Sequence, residues 1–148
     1  MAAKRRAEVT WEGDLMSGRG RIDSVGSGAV GPLDVTWASR SEEDSGGKTS
    51  PEELIAAAHA SCFSMALSHG LAQAGHAPER LRVSAESTFV PGTGITEMAL
   101  RVRGRVPGLD EEGFRSAAEQ AKENCPASQA LKGNVDITLD AGLESAES

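Results

Sequence analysis

The stretch TSPEELIAAAHASCFSMALSHG, residues 49–70, constrains this chain more than any other segment. Ser50 can cap a helix, Pro51 suits its first position, and Glu53 completes an S-x-x-E capping box. Beyond the cap, apolar residues occur almost all round the cylinder, the pattern of a helix buried on most sides. Its consistent polar stripe is small, namely Ser61, Ser64 and Ser68, and Gly75 ends it. Whatever the chain folds into must enclose one long apolar helix with a thiol, Cys62, near its middle.

The flanking segments read mostly as strands. AEVTWEGDL (7–15), GRGRIDSV (18–25) and AVGPLDVTWAS (29–39) form three short strands separated by glycine-rich turns. RSEEDSGGKTS (40–50) has no periodicity and reads as a mobile surface loop. RLRVSAESTFV (80–90) and GITEMALRVRGRV (94–106) alternate with period two, and PGTG joins them as a hairpin. DEEGFRSAAEQAKEN (110–124) is an amphipathic helix, PASQALKG after Cys125 a short helical piece, NVDITLDA (134–141) a last strand and GLESAES a polar tail. This order predicts an α+β domain with antiparallel sheet and segregated helices. A length of 148 residues fits one domain, with 1–4 and 142–148 as flexible tails.

Charge and composition narrow the function. A net charge of −7 argues against nucleic acid as the default partner, and three Phe, two Trp and no Tyr leave little for base stacking. No apolar run follows Lys4-Arg5-Arg6, and no segment reaches about 18 uninterrupted apolar residues, so a cytoplasmic protein with no membrane partner is expected. GSGAVG (26–31) matches G-x-G-x-x-G, but Pro32 and a strand follow where a nucleotide site needs a helix, so it reads as a turn.

His59, Cys62 and His69 share about one third of the helix circumference, yet His69 lies about 10 Å beyond Cys62, too far for one metal ion. The histidines read as structural or solvent-facing, Glu42, Glu43 and Asp44 as a solvated loop, and Glu52 and Glu53 as partners of the helix dipole. Cys62 stays open between buried filler and nucleophile. Cys125, before a proline at a helix start, sits where backbone N–H groups lower a thiol pKa. An arginine beside Cys62 would lower its pKa by about two to three units.

TWEGD (10–14), SPEELIAAAHASCFSMALS (50–68), VPGLD (106–110) and CPASQALK (125–132) together resemble the OsmC branch of the OsmC/Ohr hydroperoxide reductases, in the family's order from about residue 5 to 141. Ser61 stands where alanine is common and Ala127 where valine is expected. The resemblance implies an OsmC-like fold, with antiparallel sheets wrapped around two central helices in an intertwined homodimer. It implies a thiol peroxidase for organic hydroperoxides, using no haem, metal or other cofactor. Cys62 would be the peroxidatic nucleophile and Cys125 the resolving thiol that closes a Cys62–Cys125 disulfide. Arg40 would stabilise the thiolate, anchored by Glu52, with Arg19 and Arg21 as competitors because the Ohr branch draws its arginine from that region. The reductant would be a dithiol, carried by a lipoylated protein. Glu52 and Cys62 are ten helical residues, about 15 Å, apart. One arginine can hardly touch both, so the expectation is that Glu52 serves Cys62 of a second chain. The alternatives are a redox sensor or apolar-ligand module that oxidises without turnover, and a structural protein with two inert thiols.

Overall fold

The computed structural model describes residues 2–144 and comprises two compact units, dividing at Leu54 and Ile55. In the first, β1 (Ala7–Glu12), β2 (Arg19–Val25) and β3 (Leu33–Val35) form an antiparallel sheet in chain order. Trp11 pairs with Gly20 across the ladder, and a Cβ on Gly20 would stand 2.6 Å from the indole. The missing side chain is what lets the ring lie on β2. The GSGAVG segment is the turn from β2 to β3, with Gly28 at φ 76° and its N–H donating to the Val25 carbonyl at 2.9 Å.

The third strand is shorter than expected. It stops at Val35, and Trp37–Ser41 form a short helix, α1. The cause is local: Thr36 Oγ1 accepts from the Ser39 N–H at 3.0 Å, and Ser39 Oγ accepts from the Thr36 N–H at 3.0 Å. This reciprocal cap satisfies two amides that a strand would have left for a neighbour. Arg40 therefore belongs to α1 rather than to a mobile loop. The unit has little core of its own: β1 is exposed throughout, and Val9, Trp11, Leu15 and Met16 lie on the surface.

The long helix, α2, runs Pro51–Gln73. Ser50 Oγ accepts from the Glu53 N–H at 3.2 Å, whereas the Glu53 carboxylate accepts from Thr49 Oγ1 at 2.9 Å. Half of the expected capping box forms. Gly75, at φ 88°, closes the C-terminus, where the His76 N–H reaches the Leu71 carbonyl at 2.8 Å. By length and composition α2 could cross a membrane. The run-length criterion misses this because Glu and His interrupt the apolar stretch. Phe63, Leu67 and Leu71 are buried, while Ala57, Ala58, Ser61, Met65 and Ala72 are exposed and share roughly 100° of arc. Burial on most sides is thus not what a single chain shows.

In the second unit β4 (Arg80–Val90) and β5 (Gly94–Arg105) form the expected antiparallel hairpin, closed by Pro91-Gly92. α3 (Glu111–Asn124) and α4 (Pro126–Leu131) then lead to β6 (Asp136–Leu143), which pairs with β5 in parallel. This corrects the all-antiparallel expectation. Two helices between the strands supply the crossover that a parallel pair requires. The last strand also runs to Leu143, within the segment read as a tail, and Glu144 bonds to Arg80; Ser145–Ser148 of that tail lie outside the described residues.

One sheet face of this unit carries Met98, Leu100 and Val102, with Leu139 opposite Leu100, and these pack with Phe63, Leu67, Leu71, Phe114, Ala118 and Ala121. The spacing of Phe114, Ala117, Ala118 and Ala121 puts α3's apolar stripe on this core. Gly104 is required by close approach, since a Cβ there would meet the Phe114 ring at 2.7 Å and Leu81 at 3.1 Å. Gly104→Ala is expected to destabilise the fold by about 1–3 kcal/mol through overpacking. Thermal unfolding checks this, with secondary structure unchanged by circular dichroism.

Candidate active site

Two groups of predicted residues are brought together, one in each unit. In the first, Arg40 on α1 meets Glu52 in the opening turn of α2. Arg40 Nε donates to both carboxylate oxygens at 3.1 Å, and Nη2 donates to Oε2 at 2.9 Å. The Glu52 side chain is buried and that of Arg40 about one-third exposed. A planar fork gripping a buried carboxylate fixes the guanidinium's direction, which a lysine could not do. α1 is held to the start of α2 by Ser39 Oγ, which donates to the Thr49 carbonyl at 2.8 Å. The competing arginines sit elsewhere in this unit: Arg21 bonds Asp23 at 2.9 Å, and Arg19 lines a surface groove with Glu12 and Lys48.

In the second unit Cys62 and Cys125 are neighbours; Cys62 is half-buried and Cys125 fully buried. Pro126 dictates the position of Cys125. A proline lacks an N–H and clashes with the preceding turn, so α3 must stop before it. Cys125 is consequently extended (φ −59°, ψ 126°), ending α3 through its N–H to the Ala121 carbonyl and starting α4.

The amide expected to act on Cys125 acts on the other sulfur. Cys125 makes no side-chain cap, and the Ala127 N–H hydrogen-bonds to Cys62. Burial nevertheless pushes the Cys62 thiol up, the Cys125 side chain adds to that, and the Ala127 N–H opposes both. Among the described residues of this unit no cation acts on Cys62.

A residue pair that sequence reasoning passed over ties the two thiol-bearing segments together. His59, one turn before Cys62, is completely buried, and its Nε2 lies 2.8 Å from Oγ of Ser128, one turn after Cys125. The H-x-x-C and C-P-x-S spacings carried the signal, since each puts a polar group one turn from a cysteine. Burial lowers the His59 pKa, and its Nδ1 has no partner among the described residues. A depressed folded-state pKa means that the unfolded chain binds the proton first. Stability is therefore complete above the ordinary histidine value and is lost as pH falls through it. Unfolding titrations should show a decline below about pH 6.5 that His59→Gln flattens.

His69 is exposed on α2, and no group of three or more His, Cys, Asp or Glu among the described residues could hold a metal ion.

A sheet with a parallel crossover, a long apolar helix and two facing thiols define an α+β dithiol protein. Residues 43–140 match the OsmC-like protein family model. The chain is 40% identical to Peroxiredoxin OsmC of Escherichia coli (strain K12), covering 98% of this chain and 100% of that one. It is 32% identical to the Organic hydroperoxide resistance protein of Xanthomonas axonopodis pv. citri over 64% of this chain and 67% of the relative. Among solved structures, it superposes on the organic hydroperoxide resistance protein OsmC of Legionella pneumophila with a TM-score of 0.68 and 26% identity, covering 93% of this chain and 96% of that one. The chain belongs to the OsmC-like family.

Proposed function

We propose that this protein is a peroxidase that reduces organic hydroperoxides to alcohols through Cys62 and Cys125. The observation that carries the reading is the meeting of both thiols with the Ala127 N–H at the α3–α4 corner. The names of the relatives, a peroxiredoxin and organic hydroperoxide resistance proteins, support it. Cys62 loses its proton, and the thiolate attacks the outer peroxide oxygen. The O–O bond breaks, the alkoxide leaves and takes a proton, and Cys62 becomes a sulfenic acid. The Cys125 thiol displaces hydroxide from that sulfur, giving a Cys62–Cys125 disulfide and water. A dithiol reductant, for which a lipoylated protein is our choice, reopens the disulfide by exchange and is itself oxidised.

A thiol raised by burial needs a cation, and Arg40 held by Glu52 is the one we assign. Ten residues of α2 separate Glu52 from Cys62, about 15 Å of helix. Arg40 and Glu52 therefore serve Cys62 of a second copy, in a homodimer with two composite sites. The exposed arc of α2, small and weakly polar except for Met65, supports this, because an apolar helix face left in solvent by one chain can be covered by a second α2. Cys62 borders that arc.

The protein should act in the cytoplasm, where thiols are kept reduced. The test is turnover of tert-butyl hydroperoxide against hydrogen peroxide with dihydrolipoamide as donor. Sustained consumption, faster for the organic peroxide, is expected. One oxidation per chain without turnover would instead make it a sensor, and a fully active monomer would overturn the composite site.

A further inference from the structure

The solvent face of the second sheet carries an arrangement that the thiol chemistry does not use. Register places Arg80 opposite Arg105 and Arg82 opposite Arg103 across β4 and β5, with Arg101 opposite Ser84 in the next row. All five side chains alternate with the apolar set and so share the outer face. Like charges directly opposed on adjacent strands destabilise a sheet, and here two such pairs lie side by side. Protection of an exposed edge does not account for them, because three of the five stand on β5, the central strand.

Two carboxylates answer part of this charge. Glu144 accepts from Arg80 Nη2 at 2.7 Å and lies 3.4 Å from Arg105 Nη2; Asp140 accepts from Arg103 Nη2 at 3.2 Å and lies 3.7 Å from Arg101 Nε. Hydrogen bonds from Arg80 and Arg103 are the largest influences holding these two carboxyls below their usual range. Arg82 makes no side-chain hydrogen bond or ion pair among the described residues and influences Glu144 only through its charge. Five guanidinium groups over two carboxylates leave a strongly positive field, in a chain whose net charge is −7. The same face turns acidic at its other end, with Glu86, Glu97 and Asp136. Only the arginine end can attract an anion.

Four of these arginines, Arg80, Arg82, Arg101 and Arg103, line a hollow of about 480 Å³ together with Ser84 and with Glu144, whose carboxylate Arg80 already holds. That volume suits a small molecule. Planar guanidinium forks match oxyanions, and several within one hollow match several oxyanions on one ligand. We propose that this hollow binds a small molecule bearing a chain of phosphoryl groups, either a condensed inorganic phosphate or the triphosphate of a nucleotide. Arg82 and Arg103 grip the chain at the centre, and Arg80 and Arg101 flank it.

Calorimetric titration of the full chain at low ionic strength with tripolyphosphate, ATP and inorganic phosphate tests this. One site per chain is expected for tripolyphosphate, weakening as salt screens the charges, with inorganic phosphate weaker by about tenfold or more because it offers fewer oxyanions. ATP binding as tightly as tripolyphosphate means that phosphates alone are read, and tighter ATP binding identifies a nucleotide; either supports the site. Arg82→Gln, which breaks no hydrogen bond among the described residues, should raise Kd about five- to tenfold, and Arg82→Gln with Arg103→Gln should abolish binding. Peroxide turnover should stay at the wild-type rate in the single variant. No binding of either polyphosphate, or binding unchanged by Arg82→Gln, overturns the proposal.

Discussion

Cys62→Ser is expected to lower peroxide turnover by on the order of 10⁴-fold or more, because the other thiol of the site, Cys125, is fully buried and out of reach of a peroxide. A hydroxyl has the same shape but stays protonated, and serine cannot carry the sulfenic oxidation state. Cys125→Ser should behave differently. Its Cys62 keeps the Ala127 N–H and loses only the thiol that raises its pKa, so the first oxidation should proceed at or above the wild-type rate. With no partner to condense, the sulfenic acid persists, and a stoichiometric dose of peroxide yields one equivalent of alcohol and then stops. Excess peroxide should drive Cys62 on to the sulfinic acid, visible by mass spectrometry as a second added oxygen. Equal loss of the first oxidation step in both variants would mean that the thiols act in some other order. Retained turnover in Cys62→Ser would remove the proposed function altogether.

Arg40→Ala carries the second large effect. In its own unit the Cys62 thiol is pushed up by burial and by Cys125, and among the described residues only the Ala127 N–H pulls it down. If Arg40 of a second copy supplies about two to three pKa units, its loss lowers the thiolate fraction at pH 7 by about 10²- to 10³-fold. A more basic thiolate is intrinsically more nucleophilic, with a Brønsted slope of about 0.4–0.5, and recovers part of this. The net expectation is a kcat/KM roughly 10- to 50-fold lower at pH 7. The pH profile separates this from simple damage: wild-type activity should level off about two to three pH units lower than that of Arg40→Ala, which keeps climbing through and beyond the ordinary thiol range. Arg40→Lys should recover part of the profile shift, because it keeps the charge and loses the two-point grip on Glu52. A wild-type profile in Arg40→Ala would return the role to Arg19 or Arg21.

The residue pattern alone carried most of the secondary structure. The α2 boundaries follow from Ser50, Pro51 and Gly75, because caps and breakers act over a few residues and need no tertiary context. The β4–β5 hairpin was legible for the same reason, through its period of two and the Pro91-Gly92 turn. Misreadings came where two local preferences competed. Thr36 and Trp37 favour a strand by type, yet the Thr36–Ser39 cap turns the chain into α1 and so directs Arg40 toward Glu52. The parallel pairing of β6 was invisible, since alternation shows which face a strand buries but not which neighbour it runs beside.

The chemistry divides in the same way. The two cysteines, the proline after the second and the Arg40–Glu52 assignment were all available from the order of residues and the family they resemble. Which sulfur receives the α4 amide was not, because it depends on how the α3–α4 corner packs against α2 within the second unit. Nor was the His59–Ser128 contact, whose partners are 69 residues apart and meet only through that packing. The arginine hollow on the outer sheet face is the extreme case: strand register brings Arg80 to Arg105 and Arg82 to Arg103, and no local pattern specifies which residues of two strands will stand opposite. Local sequence determines what each segment prefers to be. Tertiary structure decides which charged and reactive groups then have to live beside one another.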